Sequence, residues 1–147
     1  MKVIASLLVI TISLLPGFAG AQALETLQWK KRALVLFDKS RSGARLDKQL
    51  DLFRLRRPDV RDRDLVVIVN PGQRETFVGI GYASLPRGAN RMLRSQFSPA
   101  GDGLTVILVG KDGLEKGRWQ TVVQPDEVFE LIDQMPMRKQ EIKEADS

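Results

Sequence analysis

Two short apolar runs separated by one helix-length segment constrain the fold more than any other feature of this sequence. Residues 33–37 and 65–69 are uninterrupted apolar, and the second run is mostly β-branched, which is typical of a strand covered on both faces. Between them, residues 44–57 place apolar side chains at helical spacing, and Pro58 is expected to end this helix. This order predicts a right-handed crossover between two parallel strands, of which the first is central.

The second half of the chain predicts an antiparallel hairpin between two helices. Residues 104–109 form an apolar strand, a Lys-Asp-Gly turn follows, and residues 116–122 form the returning strand. Helices are expected over residues 86–95 and 125–135, each with proline at its start. The glycine-broken residues 76–82 are assigned to neither strand nor loop. The sequence therefore predicts an α/β domain with a central mixed sheet of about four strands and flanking helices.

The first residues have the features of a secretory signal peptide. Lys2 precedes an apolar run over residues 3–15, and cleavage patterns of the Ala-x-Ala type end at Ala21 and Ala23. Cleavage after Ala23 is favoured because it leaves a mixed polar and apolar start, and cleavage after Ala21 is the alternative. The apolar run is shorter than the ~20 residues that cross a bilayer. We therefore expect a periplasmic or secreted protein with no membrane span once residues 1–23 are removed.

Residues 24–147 are long enough for one domain with its own core. The end of this segment, residues 140–147, is charged and has no packing pattern, so we expect a frayed tail there.

The absence of both cysteine and histidine limits the chemistry that this chain can perform. Thiol catalysis, disulfides, the usual general base near neutral pH and the nitrogen and sulfur ligands of zinc are excluded. Asp59, Asp62 and Asp64 lack the glycine and glutamate of a calcium loop, and arginines lie between them. We therefore expect no catalytic residues, no metal and no cofactor.

Positive charge is concentrated in the first part of the chain. Residues 24–100 contain 16 Lys and Arg against 8 Asp and Glu, whereas residues 101–147 contain 6 against 10. Arg87, Arg91 and Arg94 would form a one-sided stripe on the second predicted helix, and arginine forks suit phosphate, sulfate and carboxylate. The alternative is a solvated face without function. Nucleic acid is disfavoured by the compartment and by the lack of aromatic residues beside the arginines.

Four segments resemble the family known as domain of unknown function 4174. They are Trp29-Lys30-Lys31-Arg32, Arg63-Asp64-Leu65, Leu108-Val109-Gly110-Lys111-Asp112-Gly113 and Leu131-Ile132-Asp133-Gln134-Met135-Pro136-Met137-Arg138. The order of elements is that of a thioredoxin-like fold. Animal relatives of this family are parts of extracellular matrix-associated proteins with sushi repeats, so the resemblance implies binding or adhesion rather than catalysis.

The thioredoxin-like order also implies where an active site would have been. A thioredoxin carries its reactive cysteines in the loop after the first strand, and here this loop contains no cysteine. Its residues are Asp38, Lys39, Ser40, Arg41, Ser42 and Gly43. The position of the thioredoxin cis-proline, before the third strand, is occupied by Gly103 or Leu104. The resemblance therefore implies a degenerate site that cannot exchange disulfides.

These observations favour a non-catalytic binding domain that recognises an acidic protein or envelope component through its basic part. Two alternatives stay open. One is an enzyme that uses the loop after the first strand, with Asp38, Ser40 and Ser42 as its candidates. The other is a structural envelope component that acts by oligomerising.

Overall fold

The computed structural model describes residues 23–72 and 74–147, so the predicted signal segment lies almost wholly outside the described residues. A 3₁₀ turn, Glu25–Leu27, precedes the sheet. The strands and helices that follow are β1 (Arg32–Phe37), α1 (Ala44–Arg54), α2 (Arg57–Asp62), β2 (Leu65–Asn70), β3 (Phe77–Ile80), α3 (Ala89–Phe97), β4 (Thr105–Val109), β5 (Glu115–Trp119), α4 (Pro125–Asp133) and α5 (Pro136–Ala145).

The five strands form one mixed sheet in the order β3-β2-β1-β4-β5. β1 and β2 are parallel, with Arg32 opposite Leu65 and Phe37 opposite Asn70. β4 lies antiparallel on the other side of β1 and continues through a hairpin into β5. The α/β class, the thioredoxin-like arrangement, the central position of β1 and its parallel pairing with β2 are thus confirmed.

The sheet has one strand more than the sequence predicted. This strand, β3, is an edge strand that is only partly buried, so its side chains give a weak pattern. Its Gly79 permits a close approach to α1, because a Cβ at this position would lie 2.8 Å from Cδ1 of Leu50. The glycine that obscured the pattern is therefore a packing requirement of the strand.

Apolar side chains cover both faces of the sheet, which explains why β1, β2 and β4 are entirely buried. On one face the strands pack against α1, α2 and α4, with Phe53 and Phe129 in edge-to-face contact. On the other face they pack against α3 and the N-terminal segment, where Ala23, Leu24 and Leu27 are buried. Residues next to the predicted cleavage position are thus part of the core.

The predicted end of the first helix and the predicted tail both differ from the structure. The helix after β1 ends at Arg54, and Pro58 lies in the first turn of the next helix, where the missing N–H of proline costs nothing. Residues 140–147 were expected to form a frayed tail, but helix α5 continues to Ala145, so this expectation is wrong for residues 140–145. This helix has little apolar pattern and is attached by ionic contacts instead. No helix in the described part of the chain is long and apolar enough to span a bilayer.

The parallel strands give the sheet two distinct ends. We call the end formed by the last residues of β1 and β2 and the first of β4 the groove end. The opposite end, with the first residues of β1 and β2 and the last of β4, is the network end.

Candidate functional site

A groove of about 1340 Å³ opens at the groove end of the sheet. The segments after β1 and β2 form its two sides, and α3 and the segment before β4 contribute one residue each. Its lining residues are Asp38, Lys39, Ser40, Arg41, Ser42, Gly43, Leu46, Asp47, Pro71, Gly72, Arg74, Glu75, Phe77, Arg94 and Asp102. The degenerate loop of the sequence analysis is thus the largest contribution to this cavity, as expected for ligand sites beyond the carboxyl ends of parallel strands.

Asp38 is the deepest carboxylate in the groove and is only 3% exposed. Its backbone N–H donates to the carbonyl of Asn70, which continues the pairing of β1 with β2. Its Oδ1 accepts from the N–H of Ser40 at 2.6 Å, so the turn fixes the side chain. Its buried Oδ2 has no hydrogen-bond partner among the described residues. A buried acceptor without a partner is uncommon in folded proteins.

Arg94 enters the groove from α3. Its Nη2 donates to the carbonyl of Asn70 at 3.2 Å, and its guanidinium lies 5.6 Å from the centre of the Phe37 ring. Its buried Nε has no partner in the described ranges. Burial lowers the pKa of Arg94, and the nearby charges of Asp102 and Asp38 oppose this shift without forming an ion pair with it.

The amino end of α1 also faces the groove. Gly43 precedes this helix with a φ of 60°, and no side chain caps the first turn. The positive end of the helix dipole therefore follows directly after the exposed residues Arg41 and Ser42, which line the groove.

The predicted arginine stripe is wrong as a helix face. Gly88 has a φ of 76° and α3 begins only at Ala89, so Arg87 lies in the preceding loop. Arg91 is exposed, whereas Arg94 is partly buried in the groove. The structure thus separates the three arginines. Of these, Arg94 lies at the degenerate loop after β1, a neighbour that the sequence did not predict.

Charged groups at the groove end are unpaired. Basic side chains on the segments around the groove are Lys39, Arg41, Arg45, Arg74, Arg91 and Arg94, and acidic ones are Asp38, Asp47, Glu75 and Asp102. None of these ten forms an ion pair with another described residue. Arg74, Glu75 and Asp102 were missed by sequence reasoning, and the only signal for them was their position next to strand ends.

The network end has the opposite arrangement, an interlocked set of ion pairs. Arg32, 1% exposed, donates two hydrogen bonds of 3.1 Å to the carboxylate of Glu141. Nζ of Lys111 lies 2.7 Å from Oε1 of Glu141 and 2.8 Å from Oδ2 of Asp64, so it bridges the two carboxylates. Further pairs are Lys31 with Asp64, Arg63 with Asp133, Arg138 with Asp133 and Asp62, and Arg56 with Asp59 and Asp126. Residues from all four family-like segments meet here.

Carboxylates of this network titrate at lower pH than usual. Burial acts to raise the pKa of Glu141, but hydrogen bonds and charges from Arg32 and Lys111 outweigh it, so the pKa lies below its ordinary value. The pKa of Asp64 is lowered in the same way by Lys111 and Lys31 against the effect of burial. The pKa of Asp133 is lowered likewise by Arg63 and Arg138.

The aspartates considered for calcium are engaged in this network. Asp59, Asp62 and Asp64 each contact at least one arginine or lysine. Within residues 23–72 and 74–147, no group of three or more acidic side chains could hold a metal ion.

Comparison with known proteins gives the chain a family but no activity. The family model described as "Domain of unknown function (DUF4174)" matches residues 23–141. The human sushi repeat-containing protein SRPX is 27% identical over 124 residues, which cover 84% of this chain and 27% of that protein. The chain thus spans about a quarter of the length of this curated relative, and no solved structure matches it significantly. Since the family model covers most of the sequence, the chain belongs to the family of domain of unknown function DUF4174.

Proposed function

We propose that this protein is a non-catalytic thioredoxin-like binding domain that recognises an acidic partner at the groove end of its sheet. The observation that carries this proposal is the unpaired state of the charges around the groove. Elsewhere in the fold arginines such as Arg32, Arg63 and Arg138 are engaged by carboxylates. The groove itself is lined by four basic and four acidic side chains that form no ion pair with a described residue, so these charges are free to act on a ligand.

Exposed basic side chains at the rim would attract an acidic partner before contact. Lys39, Arg41 and Arg74 are all exposed and reach the groove from both sides. Opposite charge accelerates association in a salt-dependent way, and arginine forks then hold carboxylates by paired hydrogen bonds. The acids Asp47, Glu75 and Asp102 would select against ligands that present negative charge everywhere.

The similarity to a human sushi repeat-containing protein supports binding over catalysis. That relative is about four times longer than the matched segment, so the domain occurs there as one part of a larger chain. A domain reused in this way suits an interaction role, and the loop that would carry thioredoxin chemistry has no cysteine here.

Fluorescence anisotropy with a labelled Glu-rich peptide tests the proposal. We expect binding that weakens as salt rises, and loss of at least tenfold in affinity when Lys39, Arg41 and Arg74 are all changed to Gln. The control changes Lys48, Arg57 and Arg61 to Gln, which removes the same charge at exposed positions outside the groove.

Only a local site distinguishes the two triple variants. If both lose affinity equally, attraction depends on net charge and the groove is not the site. If wild-type protein binds no acidic peptide at low salt, the acidic-partner proposal fails. Size in solution, measured on the same samples, reports whether oligomerisation accompanies binding.

One observation favours an enzyme as the second candidate function. Asp38 lines a groove large enough for a substrate, its Oδ2 has no hydrogen-bond partner among the described residues, and carboxylates are common general bases. Mass spectrometry of the peptide after long incubation would detect turnover, and the Asp38→Asn variant should abolish it. Peptide recovered unchanged from wild-type protein would contradict the enzyme.

We also propose that the protein is exported and that its signal peptide is removed. The fold favours one of the two possible cleavage positions, Ala21 and Ala23, over the other. Ala23 is fully buried and Leu24 is 5% exposed within the second face of the core. Cleavage after Ala23 would remove a core residue and place the new ammonium group on Leu24. We therefore expect cleavage after Ala21, which the intact mass of the exported protein can check. A mature chain that starts at Leu24 would contradict this expectation.

A further inference from the structure

The two edges of the sheet differ in how they are protected from pairing with another chain. β5 carries the charged residues Glu115, Lys116 and Arg118, all of them exposed. Charged side chains are a common protection of sheet edges. β3, at the opposite edge, has the sequence Phe-Val-Gly-Ile and contains no charged residue. The edge of β3 therefore lacks the protection that the edge of β5 has.

The outer side of β3 has no backbone partner in the part of the chain that the structure describes. β3 pairs with β2 alone, and no described turn or loop forms a backbone hydrogen bond with residues 77–80. Part of this backbone is accessible, because Phe77 is 47% exposed and Gly79, which has no side chain, lines a second cavity of about 560 Å³. Unpaired N–H and C=O groups at a sheet edge are suited to bind the backbone of an extended polypeptide.

The free edge of β3 is continuous with the groove. Phe77, the first residue of β3, lines the groove, and the exposed Arg74 at the groove rim lies three residues before it. The pairing of β3 with β2 shifts register between Val78 and Ile80. The regular part of the edge is therefore the part next to the groove.

We propose that the acidic partner is an extended polypeptide segment that adds a strand to β3, with its acidic residues in the groove and the adjoining residues paired with the backbone of Phe77 and Val78. This inference rests on the proposed binding function and names the conformation in which the partner is bound. Backbone pairing would hold the segment, and the basic rim residues Lys39, Arg41 and Arg74 would select acidic residues at one end of it.

Fluorescence anisotropy with matched peptides tests the inference. The parent peptide has alternating Thr and Val followed by a short run of Glu, because an antiparallel added strand would bring its C-terminal end to the groove. One derivative is methylated on the backbone nitrogens of the Thr residues and the other on those of the Val residues. Successive residues of a strand direct their N–H groups to opposite edges, so only one derivative loses the groups that face β3. We expect it to bind at least about tenfold more weakly than the other.

Hydrogen exchange locates the added strand. In saturating parent peptide, the amide protons of residues 77–80 that exchange rapidly in the free protein should slow by at least about tenfold. The amide protons of β5, Glu115–Trp119, should exchange as before, so the second edge is the control within the same sample.

The variant with Gln at Lys48, Arg57 and Arg61 is the charge control for this peptide. Arg57 and Arg61 line the second cavity together with Gly79 and Ile80, beyond the end of β3 that meets the groove. The acidic residues of the parent peptide are confined to the groove, so this variant should bind it as the wild-type protein does.

The inference and the proposed function fail in different ways. Equal affinity of the two methylated peptides, or unchanged exchange of residues 77–80 in saturating peptide, overturns the inference. If Gln at Lys39, Arg41 and Arg74 still abolishes binding in that case, the proposed function stands alone. If residues 77–80 are protected without peptide and the protein is a dimer, a second copy covers the edge and the inference is overturned. A parent peptide that does not bind at low salt overturns both.

Discussion

The two ends of the sheet use similar numbers of charged side chains in opposite ways. At the network end, six basic and six acidic groups join β1, β2, the β4–β5 turn, α4 and α5. At the groove end, ten charged groups lie on the segments around an open cavity, eight of them in its lining, and none forms an ion pair with another described residue. Charged side chains that form ion pairs with each other hold the helices and strands together. Charged side chains without such a pair are available to a ligand.

This contrast changes the meaning of the family-like segments. Arg32, Asp64, Lys111, Asp133 and Arg138 come from those segments and lie at the network end. Their role in this structure is to attach two helices to the sheet. The groove is built from other residues, so binding specificity can differ between proteins that share the same framework.

The largest expected effect tests whether the network is structural. Arg32→Met should lower the free energy of unfolding by about 3 kcal/mol, because the partly buried carboxylate of Glu141 loses its bidentate partner. Urea denaturation measures this change. Arg94→Met is the matched variant at the groove end and should cost less than about 1 kcal/mol, because Arg94 has no carboxylate to leave unpaired. Equal losses in both variants would remove the distinction between the two ends.

A second, smaller effect concerns the end of the chain. Glu141→Gln should lower the free energy of unfolding by about 2 kcal/mol, since the amide cannot balance Arg32 and Lys111. Glu144→Gln, one turn further along the same helix and exposed, should change it by less than about 0.5 kcal/mol. Thermal and urea unfolding of both variants compare them. If the tail were frayed, neither substitution would change the free energy of unfolding, and this result would contradict the prediction.

Acid should weaken the network end first. The pKa values of Asp64, Asp133 and Glu141 are lowered in the folded protein, so their contribution is present above the ordinary carboxylate range and is lost as pH falls through the lowered values. We expect stability to decline below about pH 4.5. Glu141→Gln should make this decline shallower, and unfolding measured from pH 7 to 2.5 would show it. An unchanged slope in the variant would contradict the assignment.

The smallest expected effect is at the groove end. Gln at Lys39, Arg41 and Arg74 together should change the free energy of unfolding by less than about 0.5 kcal/mol, because these exposed groups have no ionic partner in the part of the chain that the structure describes. The same variant is the one expected to lose the acidic peptide. A large loss of stability would mean that the rim charges support the fold, and the comparison of the two ends would then fail.

Local sequence patterns were sufficient to predict those strands that are completely buried. Residues 65–69 are covered on both faces, and their apolar run predicted both the strand and its parallel pairing. The edge strand β3 is half exposed and contains Gly79 for packing, so no pattern distinguished it from a loop. Helix α5 was not predicted for a related reason, because it is attached to the rest of the fold through Glu141 and Arg138 and not through an apolar stripe.

The groove was predictable only in part. The loop after β1 could be located because its position follows from the order of elements, and it does line the cavity. Arg94 could not be connected to it, because that requires knowing that α3 starts after Gly88 and which side of it meets Asn70. Contacts between segments far apart in sequence leave no trace in local periodicity.

The pairing of Arg32 with Glu141 joins positions 109 residues apart, near the two ends of the domain. A chain made from its amino end produces the central strand early and the partner of its buried guanidinium almost last. Until α5 is available, the guanidinium of the central strand lacks its carboxylate partner, so we expect a chain that ends before α5 to be less stable than the complete one. Completion of the chain is thereby coupled to completion of the fold.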